Sequence, residues 1–135
     1  MMFYLGSQLL ENCRQQESTI SEVMIAQECR QFSQSRSDVQ ERMHHQWLVM
    51  KNGIHQAMTQ HLVTMGGLIG GEGKKLLHHQ NTGSSLSGPV TTKAMAYAMG
   101  LLEVNASMGI IVAAPTGGSC GILPGTLKAL QEAYN

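Results

Sequence analysis

The most regular feature of the chain is a series of apolar residues between positions 39 and 65. These residues recur at intervals of 4, 4, 3, 4, 4, 4 and 3, close to the period of an α-helix. We expect a helix that starts at Ser37 or Asp38, either of which can act as an N-cap, and that ends before Gly66. No segment shows the strict alternation of apolar and polar residues that marks a half-buried strand. The pattern therefore predicts an all-α fold.

Two other predicted helices have recognisable first residues. Thr19 and Glu22 have the spacing of a capping box, in which Thr19 is the N-cap and the Glu22 side chain reaches back to it. This helix would extend to about Phe32. Pro89 suits the first position of a further helix, which the apolar pattern continues to about Asn105.

Glycine-rich segments separate the predicted helices. Residues 66–88 contain seven glycines and predict a loop, interrupted by a short helical turn at 74–79. Residues 110–114 are apolar and fit either a buried helix or a strand. Residues 115–121 have the composition of a second loop, after which Pro124 opens a last helix. The sequence thus predicts a helical domain whose glycine-rich loops form its site.

The charge of the chain excludes several classes of partner. Nine basic and nine acidic residues among 135 give a net charge of zero, which argues against nucleic acid and against an anionic membrane surface. No stretch approaches the roughly 18 apolar residues of a membrane span. The first residues lack the basic region of a signal peptide, and three scattered cysteines do not form a disulfide framework. We expect a single cytoplasmic domain.

The charged residues are unevenly distributed along the chain. Residues 76–135 carry only four, Lys93, Glu103, Lys128 and Glu132. The surface of a small soluble domain usually has a charged fraction of roughly 25–35%. We therefore expect the second half to lie inside something larger. The chain also ends at Asn135 without a residue that would stop its last helix, so we expect an incomplete half of a larger catalytic domain.

Most familiar catalytic motifs are incomplete in this sequence. Residues 71–76 begin like a dinucleotide-binding loop but lack the third glycine and a preceding strand. Residues 117–121 fit the pattern G-x-S-x-G, yet the histidine base of a hydrolase should follow them and no histidine occurs after His79. The six histidines form no zinc-binding array. Nucleotide-binding, hydrolase and zinc functions are therefore set aside.

Cys120 is the strongest candidate for chemistry. Gly117, Gly118 and Gly121 flank it, and glycines allow backbone N–H groups to approach a sulfur closely. Such donors stabilise a thiolate or a metal-bound sulfur. The residues alone leave three alternatives open: a reactive or redox-sensing thiol, a metal ligand, or a small buried side chain.

The segment 114–124, with 103–109 and 86–88 before it, resembles the α-subunit of iron–sulfur-dependent L-serine dehydratase. Residues 20–24 and 27–28 are similar to the start of that subunit, so the resemblance runs from about residue 17 to the end. It implies conversion of L-serine to pyruvate and ammonia with a [4Fe-4S] cluster that acts as a Lewis acid.

The resemblance also implies which residues do the work. Cys120 matches the family's first cluster cysteine, whereas the other two lie in a downstream segment that this chain does not contain. Cys13 and Cys29 do not match them. The implied partners are L-serine and a β chain or fused β domain, which carries the candidate base, in an oligomer. We therefore expect residues 1–135 to be an amino-terminal part of the α-chain catalytic domain, inactive and cluster-free alone.

Small hydroxyl and amide side chains in the loops are candidates for binding the carboxylate and ammonium groups of serine. The same side chains commonly serve only to cap turns and helices. The candidates are Ser84, Ser85, Ser87, Asn105, Thr116 and Ser119. An alternative from a different class is a non-catalytic helical interaction protein, a remnant that has lost the downstream cluster-binding half.

Overall fold

The computed structural model describes residues 5–83 and 85–134. Its helices are α1 (Gly6–Gln15), α2 (Ile20–Phe32), α3 (Arg36–Thr59), α4 (Glu72–Thr82), α5 (Pro89–Ala106), a single 3₁₀ turn (Gly117–Ser119) and α6 (Ile122–Tyr134). These ranges contain no strand, which confirms the predicted all-α fold. The chain divides into two compact units, Met1–His45 and Gln46–Asn135.

In the N-terminal unit, α2 begins where its capping residue predicts. The Thr19 side chain accepts a hydrogen bond from the backbone N–H of Glu22 at 3.3 Å. The Glu22 carboxylate, however, does not reach back to the cap as expected. It pairs with both terminal nitrogens of Arg36 at 2.5 and 2.7 Å. A bidentate guanidinium is a stronger partner than one backbone N–H, and its hydrogen bonds lower the pKa of Glu22.

The start of α3 lies slightly earlier than predicted. Ser35 and Asp38 exchange hydrogen bonds, the N–H of Asp38 donating to Ser35 Oγ at 3.2 Å and the N–H of Ser35 to Asp38 Oδ2 at 3.0 Å. This reciprocal pair has the three-residue spacing of a capping box. The helix therefore begins at Arg36, one or two residues before the positions the sequence suggested.

The predicted end of α3 is wrong. The apolar series continues to Met65, but the helix ends at Thr59. The segment that follows is fixed by tertiary contacts, since the N–H of Met65 donates to the carbonyl of Ala106 at the end of α5, at 2.9 Å. The Thr64 hydroxyl donates to the carbonyl of Ile69 at 2.5 Å. The helical spacing of apolar residues after Thr59 therefore does not correspond to a helix.

In the C-terminal unit, α5 packs between α4 and α6. Gly73 of α4 lies so close to α5 that an added Cβ would be 2.7 Å from the carbonyl oxygen of Ala96. Gly125 of α6 is equally close, its added Cβ falling 2.8 Å from the carbonyl oxygen of Ala94. One core cluster of the unit contains the buried residues Ile54, Tyr97, Leu101 and Ala129. Glycine at the contacts thus allows the helix backbones to meet.

The expectation that 66–88 is a loop with one helical turn is wrong, because α4 is a helix of 11 residues. Its first turn is stabilised from a distance: the Glu103 carboxylate accepts the N–H groups of Gly71 and Gly73, each at 2.9 Å. The first N–H groups of α4 thus have an acceptor some thirty residues away in sequence, which compensates for the low helix propensity of the glycines. Local propensity cannot reveal such a contact.

The remaining predicted boundaries agree more closely with the structure. Pro89 occupies the start of α5, which continues to Ala106. Residues 110–114, for which helix and strand were both open, adopt neither. The last helix begins at Ile122, two residues before Pro124. Within the described parts of the chain, no helix is long and apolar enough to cross a membrane.

Candidate functional site

The loop that precedes α6 closes on itself through two hydroxyl side chains. The N–H of Ser119 donates to Thr116 Oγ1 at 3.3 Å, and the N–H of Thr116 donates to Ser119 Oγ at 3.2 Å. Ser119 Oγ also lies 3.0 Å from the carbonyl oxygen of Ala114. These bonds form a capping box around the 3₁₀ turn. We call residues 114–121 the signature loop.

Two contacts fix the signature loop to α5. Asn105, near the end of that helix, donates from Nδ2 to the carbonyl oxygen of Gly117 at 3.3 Å. Gly121 is buried against the backbone of Ala98, so closely that an added Cβ would overlap the carbonyl oxygen. The glycine at 121 is therefore required by a close approach and not by loop flexibility.

Cys120 lies between these two contacts, immediately before Gly121. Only 1% of its surface is exposed, and its N–H donates to the carbonyl of Gly117 at 3.4 Å. Burial raises the pKa of the Cys120 thiol, and a hydrogen bond from its own backbone offsets this only partly. A buried thiol with a raised pKa is a poor nucleophile. This state of the loop does not suit a redox-sensing thiol.

The described residues do not provide a complete site for a four-iron cluster. Within residues 5–83 and 85–134, no three Cys, His, Asp or Glu side chains are grouped so that they could hold a metal. Cys13 and Cys29 are partly exposed residues of α1 and α2, in the N-terminal unit. Cys120 fits as one thiolate ligand, and the donor set needs further thiolates to bind a cluster.

The candidate substrate residues fall into two groups along α5. Asn105, Thr116 and Ser119 lie with Cys120 at the signature loop. Ser85 lies before the start of α5, where its hydroxyl is 2.6 Å from that of Thr92.

The second group also includes Ser87, whose N–H donates to Ser85 Oγ at 3.3 Å. Ser84 lies outside the described residues. Thr92, which Ser85 contacts, and Ala98, which Gly121 of the signature loop contacts, are six positions apart along α5, a rise of about 9 Å. That these residues bind serine stays a prediction.

Glu103 is a structurally important residue that was not among the candidate site residues. It is 3% exposed, and both of its carboxylate oxygens accept backbone N–H groups at the start of α4. It lies two positions before Asn105, so α5 holds the glycine-rich start of α4 and the signature loop together. The signal available in the sequence was a lone acidic residue within an apolar helix.

These features define an all-helical chain in which a cysteine-containing, glycine-rich loop is docked on a central helix. The family model described as "Serine dehydratase alpha chain" matches residues 15–135. The chain therefore belongs to the serine dehydratase alpha chain family, as the resemblance of its segments had indicated.

Individual relatives support the same assignment. The chain is 38% identical over 134 residues to the "Probable L-serine dehydratase, alpha chain" of Bacillus subtilis (strain 168), covering 99% of this chain and 44% of that protein. It is 34% identical to the L-serine dehydratase alpha chain of Peptoniphilus asaccharolyticus, covering 99% of this chain and 46% of that protein. The chain thus spans less than half the length of these relatives.

Proposed function

We propose that this chain takes part in the conversion of L-serine to pyruvate and ammonia, as the portion of a dehydratase α chain that supplies one cluster thiolate, Cys120. Its membership of the family supports this proposal. The observation that carries it is the docking of the signature loop: Asn105 and Gly121 fix the backbone on both sides of Cys120 to one helix. A ligand held at both flanks is preorganised, as a metal site requires.

In this proposal Cys120 is one ligand of a [4Fe-4S] cluster that the rest of a dehydratase completes. When bound, such a cluster supplies a Lewis acid that helps the substrate hydroxyl to leave. Metal ligation replaces the thiol proton and so compensates for the burial that raises the pKa of Cys120. The three cysteines are free thiols.

The residues beside Cys120 are the better candidates for contact with serine. Thr116 and Ser119 belong to the same loop as the thiol and Asn105 bonds to that loop, whereas Ser85 contacts Thr92 near the start of α5. Thr116 and Ser119 at present bond to each other across the 3₁₀ turn. We propose that Thr116 and Ser119 hold the loop in shape, that Asn105 positions it, and that the two hydroxyl oxygens accept hydrogen bonds from the ammonium group of the substrate.

The decisive experiment is Cys120→Ala in a complete dehydratase, reconstituted from this stretch, the rest of the α chain and the β chain. We expect loss of bound iron, of the cluster's broad visible absorption and of pyruvate formation. Cys29→Ala is the matched control, because Cys29 lies on α2 in the other unit. It should leave all three measurements unchanged. Full iron content in the Cys120→Ala enzyme would contradict the proposal.

The 135-residue chain by itself should bind no stable cluster and turn over no serine. The reason is structural, since the described residues bring no three metal-binding side chains together. Treatment with iron and sulfide followed by desalting and iron analysis tests this. Stable iron with serine turnover in the isolated chain would refute it.

A non-catalytic helical interaction protein remains the second candidate, and one observation favours it: the thiol of Cys120 is 1% exposed. Under that alternative, Cys120 serves only as a small buried side chain. The two functions differ in the reconstituted enzyme. Cys120→Ala abolishes iron binding if the thiol is a ligand and affects only stability if it is not.

A further inference from the structure

The few charges of residues 76–135 are all engaged inside the C-terminal unit. Glu132 pairs with Lys93 at 3.2 Å and with Lys128 at 3.1 Å. It also accepts a hydrogen bond from Tyr97 at 2.8 Å. The fourth charge, Glu103, holds the start of α4. Lys93, Lys128 and Glu132 thus pair with one another beside α5, with side chains 27–30% exposed.

The outward face of α6 is apolar along its whole length. It carries Leu123, Leu127, Leu130 and Tyr134, which we call the α6 outer stripe. Their exposed fractions are 48%, 44%, 41% and 77%. The spacing of 4, 3 and 4 residues places them on one side of the helix. Gly125, which contacts α5, points the opposite way, so the stripe faces away from the described core.

A continuous exposed stripe of this kind marks a surface that another polypeptide covers. Spacing of 4 and 3 residues is the pattern that a second helix packs against. The stripe carries no charge, so a partner with a charged surface would lose its own hydration without compensation. The occupant should therefore be an apolar helix.

We propose that the α6 outer stripe docks the part of the family's α chain that lies outside the matched stretch. More than half of each alpha-chain relative lies beyond the 44% or 46% that this chain covers, which leaves a polypeptide of suitable length. The inference rests on family membership and not on the cluster chemistry. Cys120→Ala should therefore leave the docking unchanged, so failure of one proposal does not entail failure of the other.

The test uses this chain and, as the binding probe, the separately produced remainder of the Bacillus subtilis alpha chain. Leu127→Lys with Leu130→Lys puts two charges into the stripe, and burial of an unpaired charge is strongly unfavourable. We expect binding to weaken by roughly tenfold or more. The control is Leu68→Lys with Leu86→Lys, because Leu68 and Leu86 are exposed leucines outside α6. It should bind as the unmodified chain does.

A second measurement does not depend on charged variants that fold. Addition of the probe should slow the alkylation of Leu127→Cys and leave that of Leu86→Cys unchanged. The reference for each variant is its own alkylation rate without the probe. The proposal is overturned if the unmodified chain does not bind the probe. It is also overturned if both double variants bind equally, or if the stripe instead mediates a dimer of this chain.

Discussion

Replacement of Gly121 by alanine should disturb the contact that places Cys120 on α5. An added Cβ at this position would overlap the carbonyl oxygen of Ala98 and lie 2.9 Å from its carbonyl carbon and Cα. All three atoms belong to the backbone of a helix, so no side-chain rotation can relieve the overlap. Gly117→Ala is the matched control in the same loop, because an added Cβ there meets nothing within 4 Å.

The expected loss of stability follows from the kind of atom that the added Cβ overlaps. Overpacking in a well-packed interior costs about 1–3 kcal/mol, and rigid backbone neighbours favour the upper part of that range. Gly121 precedes α6, so alanine gains no helix propensity in return. At Gly117, alanine instead reduces the freedom of the unfolded chain, which stabilises a protein by about 0.4–1 kcal/mol when no strain results.

Urea unfolding followed by circular dichroism measures the difference. The midpoint for Gly121→Ala should fall and that for Gly117→Ala should stay level or rise slightly. In thermal unfolding, each kcal/mol lost corresponds to about 4–8 °C for a unit of this size. The alkylation rate of Cys120 should also rise in Gly121→Ala, as the loop moves off α5. Equal midpoints for the two variants would refute the claim that this glycine is required by packing.

Three further outcomes follow from buried groups. Glu103→Gln should destabilise the unit by roughly 1–3 kcal/mol and speed hydrogen exchange at the start of α4, because a charged acceptor of two N–H groups is lost. Burial and the bond to Glu132 raise the pKa of Tyr97, so the tyrosine ionises at lower pH in the unfolded chain than in the folded one. The free energy of unfolding should therefore fall as the pH rises above about 10. Tyr97→Phe should remove this contribution to the pH dependence of stability. Iodoacetamide should modify Cys120 more slowly than Cys29 in the native chain, a difference that urea abolishes, and equal native rates would contradict the burial of the thiol.

Helix starts with local chemical signals could be predicted from the sequence. Thr19 offers a side-chain acceptor to an N–H three residues ahead, and Pro89 has the fixed φ that a first helical residue needs. Both signals act within a single turn, so they do not depend on the rest of the fold. The corresponding helices begin within one residue of the expected positions.

The boundaries that could not be predicted depend on contacts distant in sequence. The segment after Thr59 is fixed in part by the bond from Met65 to Ala106, more than forty residues away. The glycine-rich start of α4 is stabilised by Glu103. Apolar period and glycine content describe only local preference, and tertiary hydrogen bonds overrode both in these segments.

The candidate site was predicted in part for a similar reason. The glycines and hydroxyls around Cys120 are adjacent in sequence, so the loop itself could be predicted, and the structure shows it with one 3₁₀ turn. Chemical type alone puts Ser85 and Ser87 together with Thr116 and Ser119. The structure instead places Ser85 against Thr92, near the start of α5, and joins Thr116 and Ser119 within the loop that Asn105 holds.

The glycines of the C-terminal unit therefore have a different function from the one their abundance suggests. Gly73 on one side of α5 and Gly121 and Gly125 on the other allow backbone contacts that a single Cβ would prevent. Because Gly121 leaves no room for a methyl group between the loop and α5, the main chain of α5 sets the position of the neighbouring Cys120 thiol. Metal ligands need such placement, whereas a buried structural cysteine tolerates a small shift. For this reason, variants at Gly121 should impair a reconstituted dehydratase more than their loss of stability alone accounts for.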